Sequence, residues 1–233
     1  MASTYCTKSA ETATNTKKFT FSTWVKRNAT GSNMYLLNMA SDGSNRIGII
    51  FNTSNQLEIY GQTSGSENAY VRTTRLFEDT GAWYHLVVAV DTTQSTAADR
   101  VKVYINGSQN VSANNGFASE NYPSQNADFQ TNQNHYIGGY GVSSSYTLDG
   151  CMSHVHFVDG TQYAASNFGS TDLTTGEWKI NTNPSVTYGS AGYFIFKNSN
   201  SVTDQSGNSN NFTVTAGTLL TTQDNPSNNF PTL

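Results

Sequence analysis

Apolar and polar residues alternate with a period of two along much of this chain, and turn residues cut the alternation into short runs. Phe19 to Val25 is the first clear run, with Phe19, Phe21 and Val25 on one face beside Thr23. Met34 to Met39 is the second. Arg46 to Phe51 passes through Asn52-Thr53-Ser54-Asn55 into Gln56 to Tyr60, which predicts a hairpin closed by a four-residue polar loop. Tyr70 to Leu76 alternates again. Trp83 to Val90 is different: Leu86 to Val90 is continuously apolar, the pattern of a strand covered on both faces. Val101 to Ile105 then meets Asn106-Gly107, and Asn-Gly between alternating runs predicts a type I′ hairpin turn, which needs positive φ at both positions.

His135 to Tyr140, Thr147 to Val158, Tyr193 to Phe196 and Phe212 to Thr215 complete the strand set, and the one short helical candidate is Tyr163 to Phe168. Residues 112–134 carry little pattern and are expected as a long loop. Many strands with almost no helix exclude a βαβ sheet and predict an all-β, two-sheet antiparallel jelly-roll sandwich. Its expected core is Phe19, Phe21, Trp24, Leu86, Val88, Val90, Val103, Ile105, Ile137, Val155 and Phe157. No repeat or linker divides the chain. The expected organisation is an N-terminal extension over 1–18, one sandwich over 19–220 and a tail over 221–233.

Composition narrows the function. Charged residues are 12% of the 233, about half the usual share, while 13 Tyr and 12 Phe argue against disorder. Net charge is −4, and no basic cluster exceeds Lys17-Lys18 or Lys26-Arg27, so direct nucleic-acid binding is not expected. No apolar run approaches membrane-spanning length, and no membrane insertion is expected. Met1 to Lys18 lacks the apolar stretch of a secretory signal, which points to retention in a cytoplasm or release by lysis unless the chain was trimmed. Cys6 and Cys151 are too few for a disulfide framework. They read as two thiols, or as one long-range bridge if the N-terminus lies beside the strand around Cys151.

Four motifs in order carry a resemblance. Phe19-Thr20-Phe21-Ser22-Thr23-Trp24-Val25-Lys26-Arg27, Trp83-Tyr84-His85-Leu86-Val87-Val88, Val101-Lys102-Val103-Tyr104-Ile105-Asn106-Gly107 and Leu148-Asp149-Gly150 resemble the strand signatures of laminin-G-like and concanavalin A-like lectin/glucanase domains. Phe157-Val158-Asp159-Gly160-Thr161, Ser166-Asn167-Phe168-Gly169 and Gly176-Glu177-Trp178-Lys179 resemble the version found in tailed, particularly marine, phages. So do Asp204 to Phe212 and Asp224 to Phe230. In related sandwiches the D-x-S-G-N-x-N segment comes first. Here it comes last, so the C-terminus is expected to supply the closing strand.

The resemblance implies a non-catalytic virion structural or surface protein, such as a capsid decoration or a tail-associated adhesion module. Such a protein is assembled in the host cytoplasm and exposed after lysis, and its partners would be other virion subunits, including copies of itself. The alternative is a host-receptor glycan-binding lectin domain of a tail fibre or spike. A degraded glycan hydrolase is the third reading. It is disfavoured because none of Glu11, Glu58, Glu67, Glu78, Glu120 or Glu177 is followed two positions later by Asp, so the E-x-D-x-x-E glucanase signature is absent.

His154-Val155-His156 places two imidazoles on one strand face at a spacing that can serve a metal, or simply forms a polar patch. No cofactor is expected. The laminin-G resemblance raises a structural calcium, with Asp42, Asp149, Asp204 and Asn208 as candidate ligands that equally suit plain turns. Trp24 and Trp83 are expected in the core. Candidate partner or glycan contacts are Phe117, Tyr122, Phe129, Tyr140 and Tyr146, because aromatic rings anchor interfaces and stack on sugars. Phe117, Tyr122 and Phe129 could instead fold back over a sheet edge.

Overall fold

A computed structural model describes residues 4–112, 115–129, 131–141 and 146–220. Among these, an eight-stranded antiparallel sheet runs in the order β10 (Phe117–Asn121), β6 (Ser66–Leu76), β5 (Gln56–Thr63), β4 (Arg46–Phe51), β3 (Met34–Ala40), β11 (Asn134–Ile137), β1 (Tyr5–Lys8) and β16 (Thr213–Ala216). A six-stranded antiparallel sheet runs β15 (Tyr193–Ile195), β12 (Gly150–Asp159), β2 (Lys18–Arg27), β7 (Tyr84–Asp91), β8 (Val101–Ile105) and β9 (Ser108–Asn110). A small hairpin of β13 (Gly169–Thr171) and β14 (Trp178–Ile180) stands apart from both. The molecule is thus the expected all-β sandwich.

The core lies where the two inner faces meet. Phe19, Phe21 and Val25 of β2 pack with Leu86, Val88 and Val90 of β7, Val103 of β8, and Val155 and Phe157 of β12. The facing sheet supplies Leu36, Leu37, Met39, Ile47, Ile49, Phe51, Leu57, Ile59 and Val71. Each such side chain contributes about 1.5–3 kcal/mol through burial. Every residue of the expected core is buried. Trp24, however, faces outward on the six-stranded sheet and stacks on His85 at 5.1 Å. Trp83 is only half-buried and lines a cavity, so the expectation of a core tryptophan there is corrected.

The predicted turns form for the stated reasons. Asn106 has φ 48° and Gly107 φ 83°, closing β8 onto β9 as a type I′ turn does. Asn52 closes β4 onto β5, its side-chain oxygen accepting from the Ser54 and Gln56 amides at 2.9 and 3.0 Å.

Three expectations are corrected. Residues 1–18 are not simply an extension, because Tyr5–Lys8 is a strand joined to both β11 and β16. Residues 112–134 are not simply a loop, because Phe117–Asn121 pairs with β6 at the sheet edge. The short helical candidate is a single 3₁₀ turn over Ala165–Asn167. The C-terminus supplies the closing strand β16 as expected, and residues 221–233 lie outside the described residues.

Asp204 explains how that closing segment is held. Its carboxylate accepts from the Phe194, Ser206 and Asn210 amides and from the Ser206 hydroxyl, all within 2.9 Å. The side-chain amides of Asn208 and Asn210 donate to the carbonyls of Gly189, Ser190 and Gly192. This clasp ties the loop before β16 to the segment leading into β15.

Candidate functional site

The outer faces of the two sheets differ, and the difference locates the site. On the six-stranded sheet the outward residues are Thr20, Ser22 and Trp24 of β2, His85, Val87 and Ala89 of β7, and His156 and Val158 of β12. All are buried, because residues 160–192 fold over them. Thr20 accepts from the Tyr163 amide and donates to the Thr161 carbonyl, both at 2.8 Å. Phe168 and Ala165 pack on Val87 and Val158. The Trp178 indole N–H donates to His85 Nδ1 at 2.9 Å, and its ring stacks over the imidazole. Gly107 accommodates that ring, since a Cβ there would come within 2.3 Å of it.

The indole N–H is only a donor, so His85 Nδ1 must be unprotonated. Nε2–H is then left to donate to the Ser22 hydroxyl at 2.9 Å. Burial drives the His85 pKa down to about 3 and that of His154 to about 4, and it holds His156 well below the usual range. The His154-Val155-His156 pair sits at a bulge in β12, with His154 at φ 48° and both rings against Phe194. His156 Nδ1 is bonded to the Tyr188 hydroxyl. Among the described residues, no three His, Cys, Asp or Glu side chains converge as a metal cluster.

Among the described residues, the outer face of the eight-stranded sheet carries no such cover over β5 and β6, while Ile50 of β4 is buried under Tyr35, Tyr60 and Tyr140. The outward side chains of these three strands are Arg46, Gly48 and Ile50; Glu58, Tyr60 and Gln62; and Glu67, Tyr70 and Arg72, Asn68 being turned to the other side by a bulge. Tyr60, Tyr70, Glu58, Gln62, Arg46 and Arg72 are all half-buried, and Glu67 is exposed. Tyr60 lies flat over Gly48, where a Cβ would come within 2.2 Å of the ring. Its hydroxyl shares a 2.6 Å hydrogen bond with that of Tyr35. Tyr140 stacks on Tyr35 at 4.9 Å, and Tyr146 packs beside both, so four tyrosines form one cluster.

Arg46 spans that cluster. It donates to the Gly43 carbonyl and the Tyr140 hydroxyl, and its guanidinium lies 5.8 and 5.4 Å from the Tyr60 and Tyr140 ring centres. Glu58 accepts from the Tyr70 hydroxyl at 2.8 Å and from Asn52 at 3.1 Å. Burial and then that carboxylate push the Tyr70 phenol up to about 12, so it stays a neutral donor.

The expected contact residues fall into two groups. Tyr140 and Tyr146 meet on this face, but Tyr140 is buried among aromatics and Tyr146 is exposed, so only Tyr146 presents a free ring surface. Phe129 is a core residue packed on Phe19 at 5.9 Å, which removes its ring from any partner. Phe117 and Tyr122 are half-buried against the same core and cover the β10 edge. Tyr35, Tyr60, Tyr70, Arg46 and Arg72 were not singled out from the sequence. The clean alternation of Gln56–Thr63 and Ser66–Leu76 was the available signal, because only strands with one uncovered face keep it.

The four calcium candidates each have protein partners in this structure. Both oxygens of Asp204 are saturated by N–H and O–H donors, and the Asn208 amide points its nitrogen at two carbonyls. Asp42 caps its own turn through Ser44 and Asn45, and Asp149 accepts from Asn28. Cys6 and Cys151 both line a cavity of about 330 Å³ at one end of the sandwich, and no bridge joins them. Burial holds the Cys6 thiol up at about 12. Among the described residues, no helix is long and apolar enough to cross a membrane.

A laminin-G family model, described as the concanavalin A-like lectin/glucanases superfamily, matches residues 1–166. The chain belongs to this superfamily. Among solved structures, the lectin-like chain is similar to a Bacteroides ovatus protein classed provisionally as carbohydrate-binding, at 17% identity and a TM-score of 0.54. That match covers 94% of this chain and 59% of the other, so the chain spans well under two thirds of that protein. A native heptameric pentraxin from Limulus polyphemus matches at 16% identity and a TM-score of 0.46, over 77% of this chain and 92% of that one. At these identities the likeness concerns the fold alone. No curated protein sequence matches the chain.

Proposed function

We propose that this lectin-like chain is a non-catalytic carbohydrate-recognition module working at the surface of a tailed-phage particle. One observation carries the recognition half: the row of Glu58, Tyr60, Gln62, Glu67, Tyr70 and Arg72 on β5 and β6, which none of the described residues folds over. Half-exposed tyrosines offer flat apolar rings for the C–H face of a sugar, and the flanking amide, carboxylates and guanidinium match its hydroxyls. Tyr70 is already hydrogen-bonded to Glu58 and Arg72, Tyr60 to Tyr35 and Gln62 to the Gly65 carbonyl, so little ordering entropy is lost on binding.

That row carries two carboxylates, Glu58, which Tyr70 and Asn52 hold, and Glu67, which lies opposite Gln62 near the start of β6. A retaining glycosidase needs two carboxyl groups about 5–5.5 Å apart. Neither glutamate is followed two positions later by Asp, so the E-x-D-x-x-E glucanase signature is absent from the row, which supports binding without turnover.

The virion half rests on the phage-like motifs, including the Asp204 to Phe212 segment that forms the clasp. Other virion subunits and further copies of the chain are the expected partners there. A glycan array with the intact protein and a Tyr60→Ala/Tyr70→Ala variant tests recognition. Binding that weakens at least 10-fold in the variant supports it, and binding unchanged in the variant contradicts it. Labelled antibody against the chain, imaged on purified particles, tests the location. Absence of label from intact particles contradicts it.

A further inference from the structure

We infer that the glycan taken by this face is acidic, a chain bearing more than one carboxylate or comparable anion. The inference rests on the recognition reading above and adds the ligand class. It starts from how the chain spends its cations. Lys18, Lys102 and Lys179 each pair with an aspartate, at 3.1, 3.2 and 2.7 Å. Arg27 is buried, donating to the Phe77 carbonyl, and Arg100 clamps the carbonyls of Gln94, Ser95 and Pro123. Lys17, Arg75 and Lys197 make no salt bridge among the described residues, and Arg75 and Lys197 lie over aromatic rings. Arg46 and Arg72 differ in place. Both face outward on the eight-stranded sheet beside Tyr60 and Tyr70, with Glu58 and Glu67 on the same face, and neither makes a salt bridge to a carboxylate among the described residues.

Their surroundings hold them ready. Arg46 is fixed by the Gly43 carbonyl and the Tyr140 hydroxyl, and it lies over two tyrosine rings. Arg72 lies 5.7 Å from the Tyr70 ring centre and donates to the Tyr70 hydroxyl at 3.4 Å. Glu58, the cross-strand neighbour of Arg72, turns its carboxylate to Tyr70 and Asn52 instead. On both arginines Nε is buried without a hydrogen-bond partner, so the charge is incompletely compensated by the protein. A planar guanidinium so placed suits a carboxylate better than a neutral hydroxyl, because charge-assisted pairs are roughly twice as strong.

The register sets the spacing. Arg46 lies opposite Gln62 and Arg72 opposite Glu58, four positions apart on β5. That is about 13 Å along the strands and about 10 Å across two strand intervals. One anionic group cannot reach both, and Tyr60 and Tyr70 lie in the strip between them. The strip therefore fits an oligosaccharide carrying anions at intervals, stacked on the tyrosines and gripped at each end.

The test uses probes on the full chain: an alginate hexasaccharide against its carboxyl-reduced form, with sialyllactose and lactose as the single-carboxylate and neutral controls. The expected result is at least 10-fold tighter binding of the alginate hexasaccharide than of its reduced form, and of the alginate than of sialyllactose. Sialyllactose bound as tightly as the hexasaccharide would overturn the multiple-anion reading. The preference over the reduced form should fall at least fivefold in Arg46→Gln and in Arg72→Gln, with thermal melting confirming that each variant is folded. The salt dependence should flatten by the same substitutions. Neutral and acidic members bound equally, with the tyrosine variant weakened, would overturn the acidic class while leaving sugar recognition intact. No binding of any probe, with a blank glycan array, would overturn both.

Discussion

The two sheets of this sandwich use the same alternation of residues and end with opposite outer faces. On the six-stranded sheet the outward side chains of β2, β7 and β12 are buried under residues 160–192 and form a second core around Val87, Val158 and Phe168. On the eight-stranded sheet the outward side chains of β5 and β6 stay half-exposed and polar or aromatic. A face that is covered needs shape and satisfied hydrogen bonds, so it can hold histidines only as neutral, bonded rings. A face left open can keep arginines and tyrosines whose bonds are incomplete. Stability and recognition are thereby assigned to different sheets, and substitutions should separate them.

The largest separation is expected with acid. His85, His154 and His156 lie on the covered side and His135 in the core, where burial brings the last to about 3. In the unfolded chain these rings protonate near the ordinary value of 6.5. The native state binds those protons only well below that value, near 3 at His85 and His135 and near 4 at His154, so stability is full above pH 6.5 and is lost as pH falls. Each imidazole takes away about 1.4 kcal/mol per pH unit in that window. Protonating His85 also turns the acceptor facing the Trp178 N–H into a donor. Urea melts at pH 7.5 and pH 5 should therefore differ by several kcal/mol. Equal stabilities would show that the histidines are not held neutral.

Trp178→Ala comes next. It uncovers His85 and Gly107 and leaves Nδ1 without its donor, at a cost of about 3 kcal/mol. Tyr70→Ala on the open face should cost under about 1.5 kcal/mol, since its ring is partly in water. Chemical denaturation of the two variants checks the ranking, and a larger loss for Tyr70→Ala would break the comparison.

This contrast also decides what could be read from the sequence. The continuous apolar run through Leu86 to Val90 announced a strand covered on both faces, and β7 is buried throughout. The Asn106-Gly107 turn was legible because only one backbone geometry suits it. Phe129 was misleading: an aromatic in a polar stretch resembles a contact residue until its packing on Phe19 is seen. The Tyr60, Tyr70, Arg46 and Arg72 grouping was not visible, because it arises from the registers of β4, β5 and β6, which bring together residues up to 26 positions apart. The Trp24–His85–Trp178 stack was hidden for the same reason, as β14 lies far from β2 and β7 in sequence.

Smaller effects sharpen the open face. Tyr60→Ala should weaken glycan binding about 10-fold, or 1.4 kcal/mol, and should lower the melting temperature less than Trp178→Ala does, because it leaves the buried Tyr35 hydroxyl without its partner. Gly48→Ala should do the same more mildly, a few-fold. A Cβ there displaces the Tyr60 ring without removing a single polar group. If Gly48→Ala binds as well as the parent, the seating of Tyr60 does not matter.

The most direct test is to map the bound sugar. Amide and side-chain NMR shifts of the labelled chain would be followed while titrating the tightest-binding oligosaccharide from the array. The account predicts that the largest perturbations fall on Arg46, Glu58, Tyr60, Gln62, Tyr70 and Arg72, with Thr20, Ser22 and Trp178 unmoved. Perturbations centred on the Trp178 hairpin or on the cavity beside Cys6, with the β4–β6 face silent, would contradict it.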